Sequence, residues 1–276
     1  MASESKNIYR QVYNTSEDVK ILAGIDHVTC VLTRRAMLAA AFNASNELLS
    51  VHYSGYSTDR VVWELDFFEH LFTQEPLLME REKITKVFFC SALCMVVPED
   101  LYEMAAANEW FSKIHFTDSS DAVKHYFLKE DKLNYLYALP KNIEALVKIN
   151  CINAATAPLA ACQFTNNHTR GVRLHCLLTS DQACVSLFHY GTLLWHRVFD
   201  YSAAEDIAYE VRLVCEEHKI NTEKVTINCN TISATETGIL KALAPYFAEV
   251  TTGTGHSVNM NWSATLSLIK QLEQCA

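Results

Sequence analysis

Cys30-Val-Leu-Thr33 and Cys176-Leu-Leu-Thr179 are near-copies of one tetrapeptide, 146 residues apart (176 less 30). The offset persists beyond them. Phe42 falls on Phe188, Leu48 on Leu194, Leu49 on Trp195 and Tyr53 on Phe199. A slip of one residue places Tyr56-Ser57 on Tyr201-Ser202, and further on Lys86-Val87 falls on Lys224-Val225. Matching runs of this length predict a supersecondary unit used twice, and hence two lobes of like topology.

The hydrophobic pattern around each copy gives the unit. In the first half His27–Thr33, Ala36–Asn43 and Leu48–Tyr53 are apolar runs separated by Arg34-Arg35 and Ala44-Ser45-Asn46, which reads as three antiparallel strands on tight turns. Val61, Val62, Leu65, Phe68 and Phe72 recur at helical spacing, with Thr58 or Asp59 placed to cap the helix. Ile84–Ser91 reads as a buried strand, and Pro98 as the opening of a helix to about Asn108. The charged stretch 116–131 reads as an excursion, Leu133–Leu139 as a strand, and Pro140 as the start of a helix to Ile149. Residues 1–20 are polar and suit a loose or edge segment.

The second half repeats the order. Val172–Thr179, Ala183–Tyr190 and Leu193–Phe199 are strands, with Gly191-Thr192 as a turn. A helix over 202–218 has Ser202 and Glu205 in capping-box spacing. A strand at Val225–Cys229, a helix at Thr235–Tyr246, a strand at Phe247–Thr251 and a helix at Ser263–Gln274 complete it. Each half is thus β-β-β-α-β-α-β-α, an α/β arrangement that builds a five-stranded mixed sheet with helices on its faces. The expected boundaries are a first lobe at 1–150, a helical or irregular connector at 151–170 containing Pro158 and Asn166-Asn167-His168, and a second lobe at 171–276.

Composition narrows the function classes. With 276 residues, 50% hydrophobic and 20% charged, the chain is of globular type and needs no disulfide or metal to hold a core. Its net charge of −9 argues against nucleic acid as a partner, because neutralising phosphates needs a basic face. No apolar run reaches the ~20 residues of a membrane span, so no membrane role is expected. Ten cysteines lie mostly within apolar runs, where a free thiol packs as a small hydrophobe. With a polar start and no leader-like segment, a reducing cytoplasmic setting is the expectation.

The duplicated pattern resembles the actin, Hsp70 and sugar-kinase fold, which is of RNase H-like type. More narrowly, the segments Phe199–Tyr209, Leu240–Val250 and Met95–Leu101 resemble an uncharacterised bacterial family with an actin-like ATPase fold, domain-of-unknown-function family 3822. The resemblance spans nearly the whole chain and rests on soft apolar patterns. It implies a fold and no assigned activity. It also implies where a nucleotide would sit. Active members of the wider fold place an Asp-x-Gly turn between the first two strands of each half, where backbone N–H groups cradle phosphates and glycine permits the close approach. Here the first turn is Thr33-Arg34-Arg35, and the second is Thr179-Ser180-Asp181 followed by Gln182. The adenosine loop, a Gly-Gly pair in active members, corresponds to Asn228-Cys229-Asn230-Thr231. All three motifs are missing from a chain with only seven glycines.

The residues at these places, Thr33, Arg34, Arg35, Thr179, Ser180, Asp181, Asn228 and Asn230, are the ligand-site candidates. Arg34 and Arg35 suit an anion site or a solvated turn. Asp181 suits a magnesium position or an ordinary turn. Gly253-Thr-Gly255-His256 lacks the Lys-Ser/Thr of a phosphate loop and reads as a connector. Cys90-x3-Cys94, with His115 or His175-Cys176, lacks the second pair that a structural zinc site needs. Strands almost free of Asp and Glu argue against a two-metal nuclease. No catalytic residue, metal ligand or cofactor is expected. The leading expectation is a non-catalytic actin-like protein that acts as an interaction or regulatory module, with an unidentified protein partner or a second copy in a homodimer. The alternative is a degenerate phosphoryl-transfer or phosphate-binding enzyme using Arg34, Arg35 and Thr179–Asp181.

Overall fold

The computed structural model describes residues 8–15, 23–57, 63–164, 171–234, 237–252 and 262–275. The expected helix cap at Thr58 or Asp59, the Asn166-Asn167-His168 stretch and the Gly253–His256 connector lie outside these residues. The chain forms two compact units, one of Met1–Leu93, Glu99–Tyr126 and Asn134–Leu159, the other of Cys94–Pro98, Phe127–Leu133 and Ala160–Ala276.

The first unit holds strands β1 (Ile8–Asn14), β2 (His27–Thr33), β3 (Ala36–Phe42), β4 (Leu48–Tyr56) and β5 (Ile84–Phe89). Strand β6 (Cys94–Pro98) belongs to the second unit. Then come β7 (Asp121–Leu128), β8 (Leu133–Pro140) and β9 (Ala155–Pro158). The main sheet runs β1-β4-β3-β2-β5-β9. Every residue of β3, Ala-Met-Leu-Ala-Ala-Ala-Phe, is buried, which is why its sequence shows no alternation: both faces of a central strand are covered. Helix α1 (Leu65–Gln74) buries Phe67, Phe68, Leu71 and Phe72, and α2 (Pro76–Met79) buries Leu77 and Leu78.

Four readings from sequence are corrected in this part of the chain. Pro98 ends a strand rather than opening a helix. A short 3-10 turn follows at Glu99–Leu101, and α3 forms only over Ala107–Ile114, where Ala107 and Phe111 find a core to enter. The charged excursion contains β7, which lies beside β8. Its apolar residues Val123, Phe127 and Leu128 sit among charges that mask the pattern. The expected connector contributes β9, paired in parallel with β5 (Phe88 opposite Ala157). Helix α1 begins at Leu65, after Glu64 in an extended conformation. Helix α4 (Lys141–Asn150) follows Pro140 as expected.

The second unit carries β10 (Val172–Leu178), β11 (Gln182–His189), β12 (Thr192–Asp200), α5 (Ala204–Glu217), β13 (Thr226–Thr231), α6 (Thr237–Leu243), β14 (Glu249–Thr251) and α7 (Ser263–Gln274). Its sheet runs β12-β11-β10-β13-β14. Leaving out β1, both main sheets therefore read third-second-first-fourth-fifth strand. At the start of α5 the carboxylate of Asp206, not Glu205, accepts from the N–H groups of Ser202 and Ala203 at 2.8 and 3.0 Å.

The registers match more closely than the topology requires. His27 lies opposite Phe42 and Arg173 opposite Phe188, each pair shifted by 146. Both second hairpins carry a register shift at the same place, Ala41/Phe42 and Leu187/Phe188. The sequence matches are corrected beyond it. Phe42 pairs with Leu48 and Phe188 with Leu193, so five residues separate the pair in the first hairpin and four in the second. The slip thus falls inside the hairpin loop, and Leu48 corresponds to Leu193, not Leu194. The second loop is shorter because Tyr190 and Gly191 both take positive φ, at 50° and 82°, the geometry of a two-residue hairpin turn. Likewise Cys30 pairs with Val87 and Cys176 with Cys229, so Val87 corresponds to Cys229 rather than Val225.

Edge strand β1 is held by a side chain lying on a glycine. Tyr9 pairs with Gly55 of β4, and a Cβ at position 55 would sit 2.3 Å from Tyr9 Cζ. The Tyr9 hydroxyl also meets that of Tyr53 at 3.2 Å. Gly55→Ala is expected to displace the Tyr9 ring and cost about 1–2 kcal/mol, as overpacking does. A lower urea midpoint with faster amide exchange across Ile8–Asn14 checks it; unchanged exchange there contradicts it.

Candidate functional site

The first-unit candidates sit on the β2–β3 turn. The Thr33 hydroxyl points back into the turn, donating to the Ala36 carbonyl and accepting from the Arg35 N–H, both at 3.4 Å. The Arg35 carbonyl accepts from the N–H of Tyr56 at 2.8 Å. Arg34 is buried, so the turn is not solvated on that side.

The second-unit turn is built the same way. The Thr179 hydroxyl accepts from the Gln182 N–H at 3.0 Å and from the Asp181 N–H at 3.5 Å. The Asp181 carbonyl accepts from the Tyr201 N–H at 3.2 Å, and the Tyr201 hydroxyl donates to the Thr179 carbonyl at 2.7 Å. Asp181 thus occupies the place that Arg35 holds in the first unit. Neither turn contains a residue with positive φ among those described. In both, N–H groups that face outward in a phosphate cradle are turned onto a threonine hydroxyl.

The expected adenosine loop is not a loop. Parallel pairing with β10 carries β13 through to Thr231, opposite Leu178, so Asn228 and Asn230 lie on a strand. Asn230 Nδ2 donates to Gln271 Oε1 of α7 at 2.9 Å. The side-chain oxygens of Asn228 and Asn230 are buried and meet no donor among the described residues.

These asparagines belong to a polar sheet face that sequence reasoning missed. Register sets His196 beside Ser186, Ser186 beside His175 and His175 beside Asn228 across four strands. The opposite face carries Leu174, Cys176, Val185, Leu187, Ile227 and Cys229 against Ile207, Val211, Leu240 and Leu243 of α5 and α6. On the polar face the orientation of the groups is fixed from one end. Gln163 Nε2 donates to the Cys184 carbonyl at 2.8 Å, so its Oε1 faces Ser186 and accepts that hydroxyl at 2.5 Å. Ser186 Oγ then accepts from His196 Nδ1 at 2.8 Å, which leaves Nε2 as the acceptor toward the Cys94 thiol, 3.9 Å away. Burial pushes His196 down to about 3. Burial, with the Arg173 charge second, pushes His175 down to about 4. A neutral imidazole of such low basicity orders its neighbours and is a weak base for the thiol. Gln163 and Cys94 lie far from Ser186 and His196 in sequence, so no local motif signals the group.

All ten cysteines are free and nine are buried. Burial raises the thiols of Cys151 to about 12 and Cys215 to about 11, so neither is a thiolate at neutral pH. Among the described residues no group of three or more His, Cys, Asp or Glu could hold a metal ion, and no helix is long and apolar enough to cross a membrane.

Two mixed sheets of one strand order, each with helices packed on it, define the actin-like ATPase fold. The chain is similar in this fold to a Bacteroides thetaiotaomicron protein described as having an actin-like ATPase fold and unknown function (TM-score 0.75, 14% identity, 94% of this chain and 100% of that one covered). It is also similar to a chain of the PilM–PilN type IV pilus biogenesis complex (TM-score 0.53, 11% identity, 91% and 98% covered). By sequence the chain belongs to the family described as protein of unknown function (DUF3822), whose model matches residues 32–250. No curated protein matches it.

Proposed function

We propose that this chain is a non-catalytic member of the actin-like fold, descended from a duplicated lobe and serving as a protein-interaction or regulatory module. The observation that carries the proposal is the chemistry of the two turns. Phosphate binding needs backbone N–H groups pointing outward with room for close approach. Here Thr33 takes the Arg35 N–H, and Thr179 takes those of Asp181 and Gln182. Opening either turn for phosphate sacrifices these bonds. Asp181 has Arg35 rather than a second carboxylate as its counterpart, which weighs against the phosphoryl-transfer alternative. The matched strand orders and registers support duplication, and ten free thiols support a reducing, cytoplasmic setting. A fold relative found in a complex, PilM with PilN, supports a role in protein contacts.

Calorimetric titration of the full chain with ATP and Mg²⁺ tests this. No binding in the micromolar range is expected; a micromolar site lost on changing Thr179 or Asp181 overturns the proposal.

A further inference from the structure

Of the five buried side-chain atoms that meet no hydrogen-bond partner among the described residues, four lie on one face of the second sheet: His175 Nε2, Gln182 Oε1, Asn228 Oδ1 and Asn230 Oδ1. Gln182 is the first residue of β11, and the other three adjoin one another. His175 stands beside Asn228, and Asn230 follows two residues on along the same face of β13. The polar row described above runs on to the last strand, since Asn228 stands beside Thr251 of β14. One end of the row is complete within the chain: Gln163 orders Ser186, and Ser186 orders His196. The end that holds His175 and Asn228 is not.

Rotating the amides does not remove the need. Asn230 Nδ2 donates to Gln271 Oε1 at 2.9 Å; with both amides turned over, Oδ1 accepts instead and Nδ2 is left. One atom of Asn230 lacks a partner in either orientation, within a residue only 6% exposed. Unpaired buried polar atoms are costly enough that native folds supply a partner for nearly all of them. Here the surroundings restrict what that partner is. The atoms themselves are buried, so it is enclosed rather than docked from outside. Burial, with the Arg173 charge second, disfavours a positive charge at His175, and the row holds no carboxylate to compensate a cation. An anion brings further acceptors to the asparagine oxygens. What remains is a small neutral molecule that donates to those oxygens and serves either tautomer of His175, which is the chemistry of water.

We infer that ordered waters bind inside the second unit on this face, one bridging His175 Nε2 and Asn228 Oδ1 and another held by Asn230. Solvent then completes the row where Gln163 completes its other end. Asn228 and Asn230, nucleotide-loop candidates by sequence, become water ligands on a strand. The site is independent of what the protein binds, because its atoms face no ligand from outside. Waters held by several such bonds belong to the fold and are costly to remove.

Two measurements on the full chain test this. A high-resolution crystal structure is expected to show one water within hydrogen-bond distance of both His175 Nε2 and Asn228 Oδ1, and a second on Asn230. In solution, nuclear and rotating-frame Overhauser transfer from water to the side-chain amide protons of Asn228 and Asn230 is expected to have opposite signs, the signature of bound rather than surface water. Asn228→Leu puts an apolar side chain in the place of the bridge, so the water at His175 should be lost while that at Asn230 stays. Density with His175 Nε2 bonded directly to Asn228, an ion or larger molecule in that place, or no bound water at either asparagine overturns the inference. So does a folded Asn228→Leu variant that keeps both waters.

Discussion

Acidification from pH 7 to about pH 5 is expected to cost the fold about 4 kcal/mol through two imidazoles alone. His175 and His196 are held at about 4 and about 3, below the 6.5 of an open histidine, in each case chiefly by burial. The unfolded chain therefore takes up protons that the folded chain refuses. A depressed histidine contributes its stability in full above the unfolded value, and loses it as pH falls from about 6.5 toward the folded value. At pH 5 each imidazole is still neutral in the fold and almost fully charged in the unfolded chain, a loss of about 2 kcal/mol apiece. Carboxylates add a slope of their own, so the comparison is with variants. Urea unfolding at a series of pH values should show that His175→Leu and His196→Gln each remove about half of this excess slope. A double variant whose stability falls with pH as steeply as the wild type removes the claim that these rings are buried neutral.

The same two residues mark the limit of what the sequence discloses. The repeat beginning at Cys30 and Cys176 specifies hairpin register, because in a buried two-faced strand a slip of one residue moves every side chain to the wrong face. That is why the offset of 146 holds residue by residue through β2–β3 and β10–β11. It fails where register is set by loop geometry: Tyr190-Gly191 turns in fewer residues than the loop at Asn43–Glu47, and the shift cannot be placed without the pairing. Polar residues inside strands are harder still. Ser186, His175, Asn228 and Asn230 sit among apolar neighbours, and each alone reads as noise in a core strand. Only the lateral register puts them in rows on one face, and the partners that orient them lie outside the sheet: Gln163 for Ser186 and Gln271 of α7 for Asn230. Of the candidate site, the two turns were legible, since Thr33 and Thr179 head corresponding hairpins. The placement of Asn228 and Asn230 was not, because parallel pairing with β10 extends β13 past the point where its apolar residues stop.

Glu75→Ala is expected to destabilise the first unit by about 1–3 kcal/mol, the cost of removing one partner of a partly buried hydrogen bond. Glu75 is only 4% exposed, an unusual place for a carboxylate, and its Oε1 lies 2.5 Å from Nδ1 of His52 on β4. The residue does two further things. Its N–H closes the last turn of α1 onto the Leu71 carbonyl at 2.9 Å, and its carbonyl accepts from Leu78 at 2.9 Å to start α2. The backbone bonds survive substitution, so loss of the side chain isolates the contact that ties the junction of two helices to the sheet. Removing the carboxylate takes this partner from the half-buried His52 nitrogen, which costs more than the pair itself contributes. A double-mutant cycle of Glu75→Leu with His52→Phe separates the two. Once both polar groups are gone, apolar side chains can fill the space, so the double variant should recover a large part of the stability lost in Glu75→Leu. Urea midpoints of the four proteins give the coupling. A Glu75→Ala variant within 0.5 kcal/mol of the wild type, on the scale of ordinary surface substitutions of about that size, shows that the contact does not anchor the helices.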